Sequence, residues 1–193
     1  MDAKELLQRY AAGERDFPGV RLRGVFLDRA ELREINLTRT DLSGSDLSEA
    51  DLSGADLSGA NLRGAILCRV IFTGANLSRA KLSGADFRDS GIINVNLTEA
   101  ILDGAIFGGE ESTIKGANFD KASLRGVTFI MADLVRTTMR GAILDGVVVD
   151  GDTGLEDLDL TGASCEGSNL VKFACAWGGT IILPNGQSIS RQD

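Results

Sequence analysis

Residues 50–64 read ADLSGADLSGANLRG, three consecutive copies of a five-residue unit with leucine at its centre. Stepping by five from Phe17 places an apolar residue at every centre as far as Phe107. Two short insertions then shift the frame, and the series continues over 114–149 and 155–175. A period of five matches neither the 3.6 residues of an α-helix nor the alternation of a β-strand. The chain must therefore turn once in every unit.

The unit also has a fixed composition around its centre. A small residue, most often alanine, stands two positions before it, Asp or Asn directly before it, and Ser or Thr followed by Gly after it. This motif resembles that of the pentapeptide-repeat family, and the resemblance covers residues 15–176. It implies an all-β fold, a right-handed quadrilateral β-helix (solenoid) in which the centre and the small residue face inward.

Four units make one coil of 20 residues, and we expect about eight coils stacked about 4.8 Å apart. We number the four faces by their first centres, Phe17, Leu22, Leu27 and Leu32, and reach each later centre by stepping one coil along the chain. With both insertions counted, Phe87, Phe107 and Phe129 fall in one column on the third face.

Both ends of the stack are predicted to be capped, since unpaired coil edges invite association. Residues 1–14 predict a capping helix, with Asp2 and Glu5 at its start and an apolar stripe of Leu6, Leu7 and Tyr10. Residues 177–193 predict a second cap, in which 180–190 form a short hairpin. Between them, residues 15–176 form the repeat domain, with insertions at 108–113 and 150–154.

The chain has 193 residues, no histidine and a net charge of −8. The lack of histidine excludes Ser-His-Asp and Cys-His catalysis and histidine zinc sites, and no other set of nucleophile, acid and base is evident. We predict no enzyme activity, no cofactor and no metal. The excess of carboxylates disfavours nucleic acid and anionic membranes as ligands and favours a protein partner, basic or DNA-binding in character.

The sequence also bears on cellular location. The first 14 residues lack the apolar run of a signal peptide, and no run of 18 apolar residues occurs, so we expect a cytoplasmic protein. The three cysteines, Cys68, Cys165 and Cys175, lack CxxC spacing and suit free thiols in a reducing compartment. The oligomeric state is left open.

The two insertions are the first candidate site. Both fall between the third and fourth faces, as GGEEST at 108–113 and DGDTG at 150–154, two coils apart. The corner between them carries two apolar residues in positions that are normally polar. A partner site is predicted from Glu110, Glu111, Ile130, Met131, Asp150 and Asp152. In the alternative interpretation, the loops fold over Ile130 and Met131 and cover them.

A second candidate site comes from outward positions that lose their Asp or Asn. The residue before the centre is apolar at Ile66, Ile71, Ile101, Ile106, Ile143 and Val148. Ile101 and Ile143 belong to the second face, with Ile106 and Val148 beside them on the third. These four predict a protein-binding surface, although β-branched residues are also favoured on any sheet surface.

We interpret the chain as a non-catalytic protein-interaction scaffold. The resemblance implies one alternative, because a branch of the family confers quinolone resistance and binds DNA gyrase as an acidic rod that mimics a DNA duplex. The net charge favours this alternative, as does a run of carboxylates without Lys or Arg from residue 40 to 62. That run consists of Asp41, Asp46, Glu49, Asp51 and Asp56.

Overall fold

A computed structural model describes residues 1–151, 153–172 and 180–190. One helix, α1, precedes a stack of four-sided coils, and no helix in these ranges is both long and apolar enough to cross a membrane. The elements are α1 (Ala3–Ala11), β1 (Asp86–Arg88), β2 (Gly91–Ile93), β3 (Ile106–Gly108), β4 (Thr113–Lys115), β5 (Thr128–Ile130), β6 (Asp133–Val135), β7 (Val148–Asp150), β8 (Leu158–Asp159), β9 (Thr180–Ile182) and β10 (Ser188–Ser190).

The coils pair with one another at the predicted step of 20 residues. On the first face, parallel bridges join Asp16 to Asn36 and continue coil by coil to Asp159, which gives eight levels. Continuous strands begin only at residue 86, and the longest sheet, β1-β3-β5-β7, has four strands, fewer than the about eight coils expected. Isolated bridges link the earlier coils. The predicted class, a quadrilateral β-helix, is confirmed.

The frame shifts assigned to the insertions are also correct. Across the first insertion, Phe87 pairs with Phe107 on the third face while Ile92 pairs with Ile114 on the fourth. Beyond it, β5 pairs with β7 and β4 with β6 in the predicted register. Cys175, the last predicted centre of the fourth face, lies outside the described residues.

The interior is a column of large apolar centres flanked by small residues. Phe87, Phe107 and Phe129 stack with ring centroids 4.5 and 5.3 Å apart, as their shared column predicts. Where the small residue is polar, its hydroxyl donates to a backbone carbonyl: Thr40 to Phe17 at 3.1 Å and Ser45 to Leu22 at 2.7 Å. These bonds satisfy buried hydroxyls that would otherwise destabilise the core.

The outward Asp and Asn residues mainly stabilise the turns. The Asp46 carboxylate accepts from the Ser48 backbone N–H at 2.9 Å, and Asp56 accepts from Ser58 at the same distance. The Asn76 amide donates to Asp56 of the preceding coil at 3.1 Å. Alternating amides and carboxylates thus bond successive coils together instead of repelling one another.

The second residue after a centre occupies the left-handed backbone region at most corners. Side chains tolerate this conformation at some cost, as at Arg69 (φ 58°) and Met131 (φ 50°). Between the second and third faces all such residues are glycine, with φ from 61° to 69°. We call this edge the glycine corner: Gly24, Gly44, Gly64, Gly84, Gly104, Gly126, Gly146 and Gly167.

Helix α1 covers the N-terminal end of the stack. The Asp2 side chain accepts from the Glu5 N–H at 2.8 Å, and the Tyr10 hydroxyl donates to the Arg33 carbonyl at 3.0 Å. Leu6 is fully buried and Tyr10 packs on the core. The expectation for Leu7 is wrong, because Leu7 follows Leu6 by about 100° around the helix and is exposed.

The C-terminal end closes in two ways. Strand β9 pairs in parallel with β8 and in antiparallel with β10, so the predicted hairpin is present and buries Ile181. On the third face the Asn169 side chain replaces a strand, since its amide accepts from the Val149 N–H at 2.7 Å and donates to the Val149 carbonyl at 2.8 Å. Residues 177–179 and 191–193 of the predicted cap lie outside the described residues.

Leu77→Asp should destabilise the protein by about 3 to 5 kcal/mol, because it places an unpaired carboxylate inside the tube. Asn76→Asp beside it faces outward and should cost less than about 1 kcal/mol. Urea unfolding followed by circular dichroism measures both. Equal midpoints for the two variants would contradict the inward assignment of the centres.

Candidate functional site

The two insertions leave the stack at the same corner, where the third face turns into the fourth. The first loop runs from the end of β3 at Gly108 to the start of β4 at Thr113, and the second follows the end of β7 at Asp150. Gly108, Ile130 and Asp150 lie side by side on successive strands, so the loops are about 10 Å apart along the stack. We call this region the insertion corner. Asp152 lies outside the described residues.

Backbone bonds hold the first loop in place. The Gly109 N–H donates to the Ile130 carbonyl at 2.9 Å, and the Ser112 N–H donates to the Gly109 carbonyl at 3.1 Å. The Glu111 N–H also reaches the Asp89 carboxylate, at 3.3 Å. The loop backbone is therefore tied to the coils on both sides, while the side chains of Glu110 and Glu111 are exposed.

The second loop is anchored through Thr153. This buried side chain donates to the Asp150 carbonyl at 2.8 Å and accepts from the Ala132 N–H at 3.3 Å. The Met131 N–H donates to the Asp150 carbonyl at 3.2 Å. The loop thus turns downward into the stack and leaves the surface of the preceding coil uncovered.

Ile130 and Met131 occupy that uncovered surface, with 38% and 42% of their area exposed. The interpretation in which the loops cover these side chains is therefore wrong, because each loop bonds to backbone instead of folding across them. Met131 also occupies the left-handed region, which disfavours a bulky side chain. The structure thus brings Glu110, Glu111, Ile130, Met131 and Asp150 to one edge.

A shallow cleft of about 310 Å³ lies at this edge, between Arg69, Asp89, Glu110, Glu111 and Met131. A second cleft of about 320 Å³ extends it toward the N-terminal coils, and the two share Arg69 and Asp89. Among the described residues, no carboxylate forms an ion pair with Arg69. The corner is therefore an acidic surface with an apolar centre and one guanidinium available for an outside anion.

The cleft residues are not arranged for catalysis. Cys68 lines the second cleft, but burial, followed by the nearby Asp86 carboxylate, raises the pKa of its thiol and disfavours the reactive thiolate. A hydrogen bond from Arg88 lowers the pKa of Asp86 and holds it as a carboxylate. Over the described ranges, no three Cys, Asp or Glu side chains converge in a way that could hold a metal ion.

The second predicted surface is divided between two faces. Ile101 and Ile143 lie on the second face, two coils apart, and are half-buried. Ile106 and Val148 lie on the third face and are exposed. The sequence analysis missed Phe26, which is 75% exposed in the same third-face column. Stepping back from Ile106 by whole coils leads to Phe26 and was the available signal.

The surface acidity is patchy. Three carboxylates in the run from Asp41 to Asp56 are paired with arginines of the preceding coil. These pairs are Asp41 with Arg23 at 3.6 Å, Glu49 with Arg29 at 2.9 Å, and Asp51 with Arg33 at 2.6 Å. Burial by itself raises the pKa of Asp51, but hydrogen bonds from Ser53 and Arg33 outweigh it and leave that pKa lowered. The run is therefore largely neutralised in the folded chain.

The family model for pentapeptide repeats matches residues 16–54, 50–89 and 110–147, with eight copies. The crystal structure of HetL, a pentapeptide repeat protein involved in heterocyst differentiation regulation in the cyanobacterium Nostoc sp. strain PCC 7120, is similar at 24% identity and a TM-score of 0.53. The match covers 97% of this chain and 99% of HetL. QnrB1, a plasmid-mediated fluoroquinolone resistance protein, matches at 19% identity and a TM-score of 0.49, over 79% of this chain and 87% of QnrB1. None of the curated proteins matches the chain.

Gly108→Ala should destabilise the protein by about 3 kcal/mol or more, because the added Cβ would lie 1.8 Å from the Ile130 carbonyl oxygen at a φ of 130°. Gly104→Ala is the matched control, since its Cβ would meet nothing within 4 Å and its φ of 69° costs about 1 kcal/mol. Urea unfolding compares them. A Gly108 variant as stable as the Gly104 variant would contradict the loop geometry.

Proposed function

Because the chain belongs to the pentapeptide-repeat family, we propose that it is a non-catalytic scaffold that binds a protein partner at the insertion corner. The observation that carries this proposal is the exposure of Ile130 and Met131 between two acidic loops. Apolar side chains surrounded by charges are typical of protein-binding surfaces. The partner would bury Met131 and contact the carboxylates through basic side chains.

The uniqueness of the corner also supports its role. Regular coils repeat the same turn and the same outward residues, so a partner could bind equally well at several levels. The loops over 109–112 and 151–154 are the interruptions of the five-residue period within the coils. They fix one position along the stack, and their backbones are held by bonds to neighbouring coils. A preorganised surface loses little entropy on binding.

Mimicry of DNA, the alternative role, has weaker support. A mimic requires regularly spaced charge along the rod, whereas the arginines Arg23, Arg29 and Arg33 neutralise much of the most acidic run. Further along, residues 75–94 carry three cations and two carboxylates, while residues 95–116 carry four carboxylates and one lysine. This banded distribution supports a local protein-binding site over a continuous acidic stripe.

We expect the combined variant Glu110→Gln, Glu111→Gln and Met131→Ser to lose the partner that the wild-type chain captures from a lysate of its own organism. The matched control is Glu31→Gln, Glu34→Gln and Ile71→Ser, which changes similarly exposed residues elsewhere and should retain it. Quantitative mass spectrometry of the captured proteins measures the loss, expected to exceed about tenfold for an interface centre.

Both variants should keep the wild-type melting temperature and sedimentation coefficient, so that a loss of partner reflects the corner alone. Capture undiminished in the corner variant would overturn the proposal. The site would then move to the second predicted surface, formed by Ile101, Ile106, Ile143 and Val148.

We expect the purified chain to leave DNA gyrase supercoiling unchanged at tens of micromolar, with or without a quinolone, because its carboxylates are banded and paired with arginine. Gel electrophoresis of the plasmid topoisomers measures the activity. Inhibition, or protection against the quinolone, would reinstate the mimicry alternative.

A further inference from the structure

One column of outward residues on the third face alternates between apolar and polar from coil to coil. It consists of the residues before each centre, joined by bridges in the first coils and by β1, β3, β5 and β7 in the later ones. From the first coil to the seventh, the column reads Phe26, Asp46, Ile66, Asp86, Ile106, Thr128 and Val148. All four apolar members are exposed. The pattern is the same in either direction from Asp86.

The surroundings of this column leave room for a large flat partner. Parallel sheets are normally covered on both faces, yet the outer face of β1-β3-β5-β7 carries exposed Ile106, Ile130 and Val148. The glycine corner borders the column on one side and presents no side chains. A second rod could therefore approach the column closely along its whole length.

A two-fold axis makes specific demands on such a surface, because the same patch must complement itself. An axis along the strand direction at Asp86 reverses the order of the coils and keeps each strand position. It pairs the first coil with the seventh, the second with the sixth and the third with the fifth. Phe26 then faces Val148 of the second copy, and Ile66 faces its Ile106.

The other possible axis, along the rod, gives a poorer match. It keeps the coil order and exchanges the two sides of each strand, so that Phe26 would face Asp28 and Val148 would face Asp150. Carboxylates would then be desolvated against apolar side chains, which is costly. The side-chain pattern therefore favours antiparallel rods.

Charge at the insertion corner favours the same arrangement. With antiparallel rods, the corners between the third and fourth faces lie on the same side, and the fifth coil of one copy faces the third coil of the other. Glu110 and Glu111 then lie opposite Arg69 of the second copy. Arg69 is the corner arginine that forms no ion pair with a described carboxylate of its own chain.

We propose that a second copy of this chain docks on the third face, as an antiparallel dimer centred on Asp86. The contact is a strip of seven coils, about 30 Å long and one strand wide. Such a strip is at the small end of specific interfaces, so the dimer dissociates in the micromolar range. The dimer extends the proposed function and is separable from it, since the central column contains none of the loop residues.

Sedimentation equilibrium of the full chain over a range of concentrations tests the dimer. The wild type should approach twice its chain mass of 20.4 kDa as concentration rises. Ile106→Asp should weaken association by at least about 30-fold. Ile71→Asp is the matched control, because this isoleucine is exposed to a similar extent (45% against 39%) on the fourth face, and it should leave the dimer intact.

A wild type that remains a monomer at several hundred micromolar would overturn the proposal. So would a dimer that Ile106→Asp and Ile71→Asp weaken equally. Circular dichroism establishes that both variants are folded. Retention of the captured partner by monomeric Ile106→Asp would leave the proposed function standing, which separates failure of the one from failure of the other.

Crosslinking tests the orientation. In a chain whose cysteines are replaced by serine, Asp86→Cys lies on the proposed axis and should crosslink to itself with a short bis-maleimide. Ile106→Cys lies two coils from its own copy and should crosslink only when mixed with an Ile66→Cys chain. Self-crosslinking of Ile106→Cys as efficient as that of Asp86→Cys would overturn the antiparallel arrangement.

Discussion

Each coil of this protein must return to the same four corners, because its backbone bonds to the coils before and after it. The Leu22 N–H donates to the Asp41 carbonyl and the Asp41 N–H donates to the Val20 carbonyl, and this exchange repeats along the stack. An extra residue within a face would turn its outward side chains inward. Extra residues are therefore tolerated only at corners, which is where both loops lie. Backbone pairing thus determines where this surface can acquire an individual shape.

The centres were predictable because a five-residue period leaves one register in which every inward position is apolar. That register assigned Phe107 and Phe129 to one column and located both loops at one corner before any coordinates were considered. The sequence motif did not reveal which outward charges meet across coils. Arg33 reaches Asp51 from 18 residues away and buries it, although a position before a centre faces outward. Side-chain reach between coils depends on rotamers, and the period does not encode them.

Exposure of the candidate residues was equally hard to derive from spacing. The loop at Asp150 has the length to cover Met131, but Thr153 bonds to the backbone and directs the loop into the stack. Phe26 was missed because it follows a valine and precedes a centre in the first coil, where the motif is least regular. Comparison between coils, rather than within one unit, identifies such residues. The functional surface is a property of the stack and not of the repeat.

The amide of Asn169 ends the third face without a further strand, since one side chain supplies both the donor and the acceptor that the last coil requires. The helix at the opposite end is likewise independent of how many coils lie between. Gain or loss of a whole 20-residue coil by gene duplication would leave both ends unchanged. Rod length can thus evolve in increments of about 4.8 Å, and the distance between two loops changes only when the new coil falls between them. The fold is in this sense a molecular ruler with interchangeable graduations.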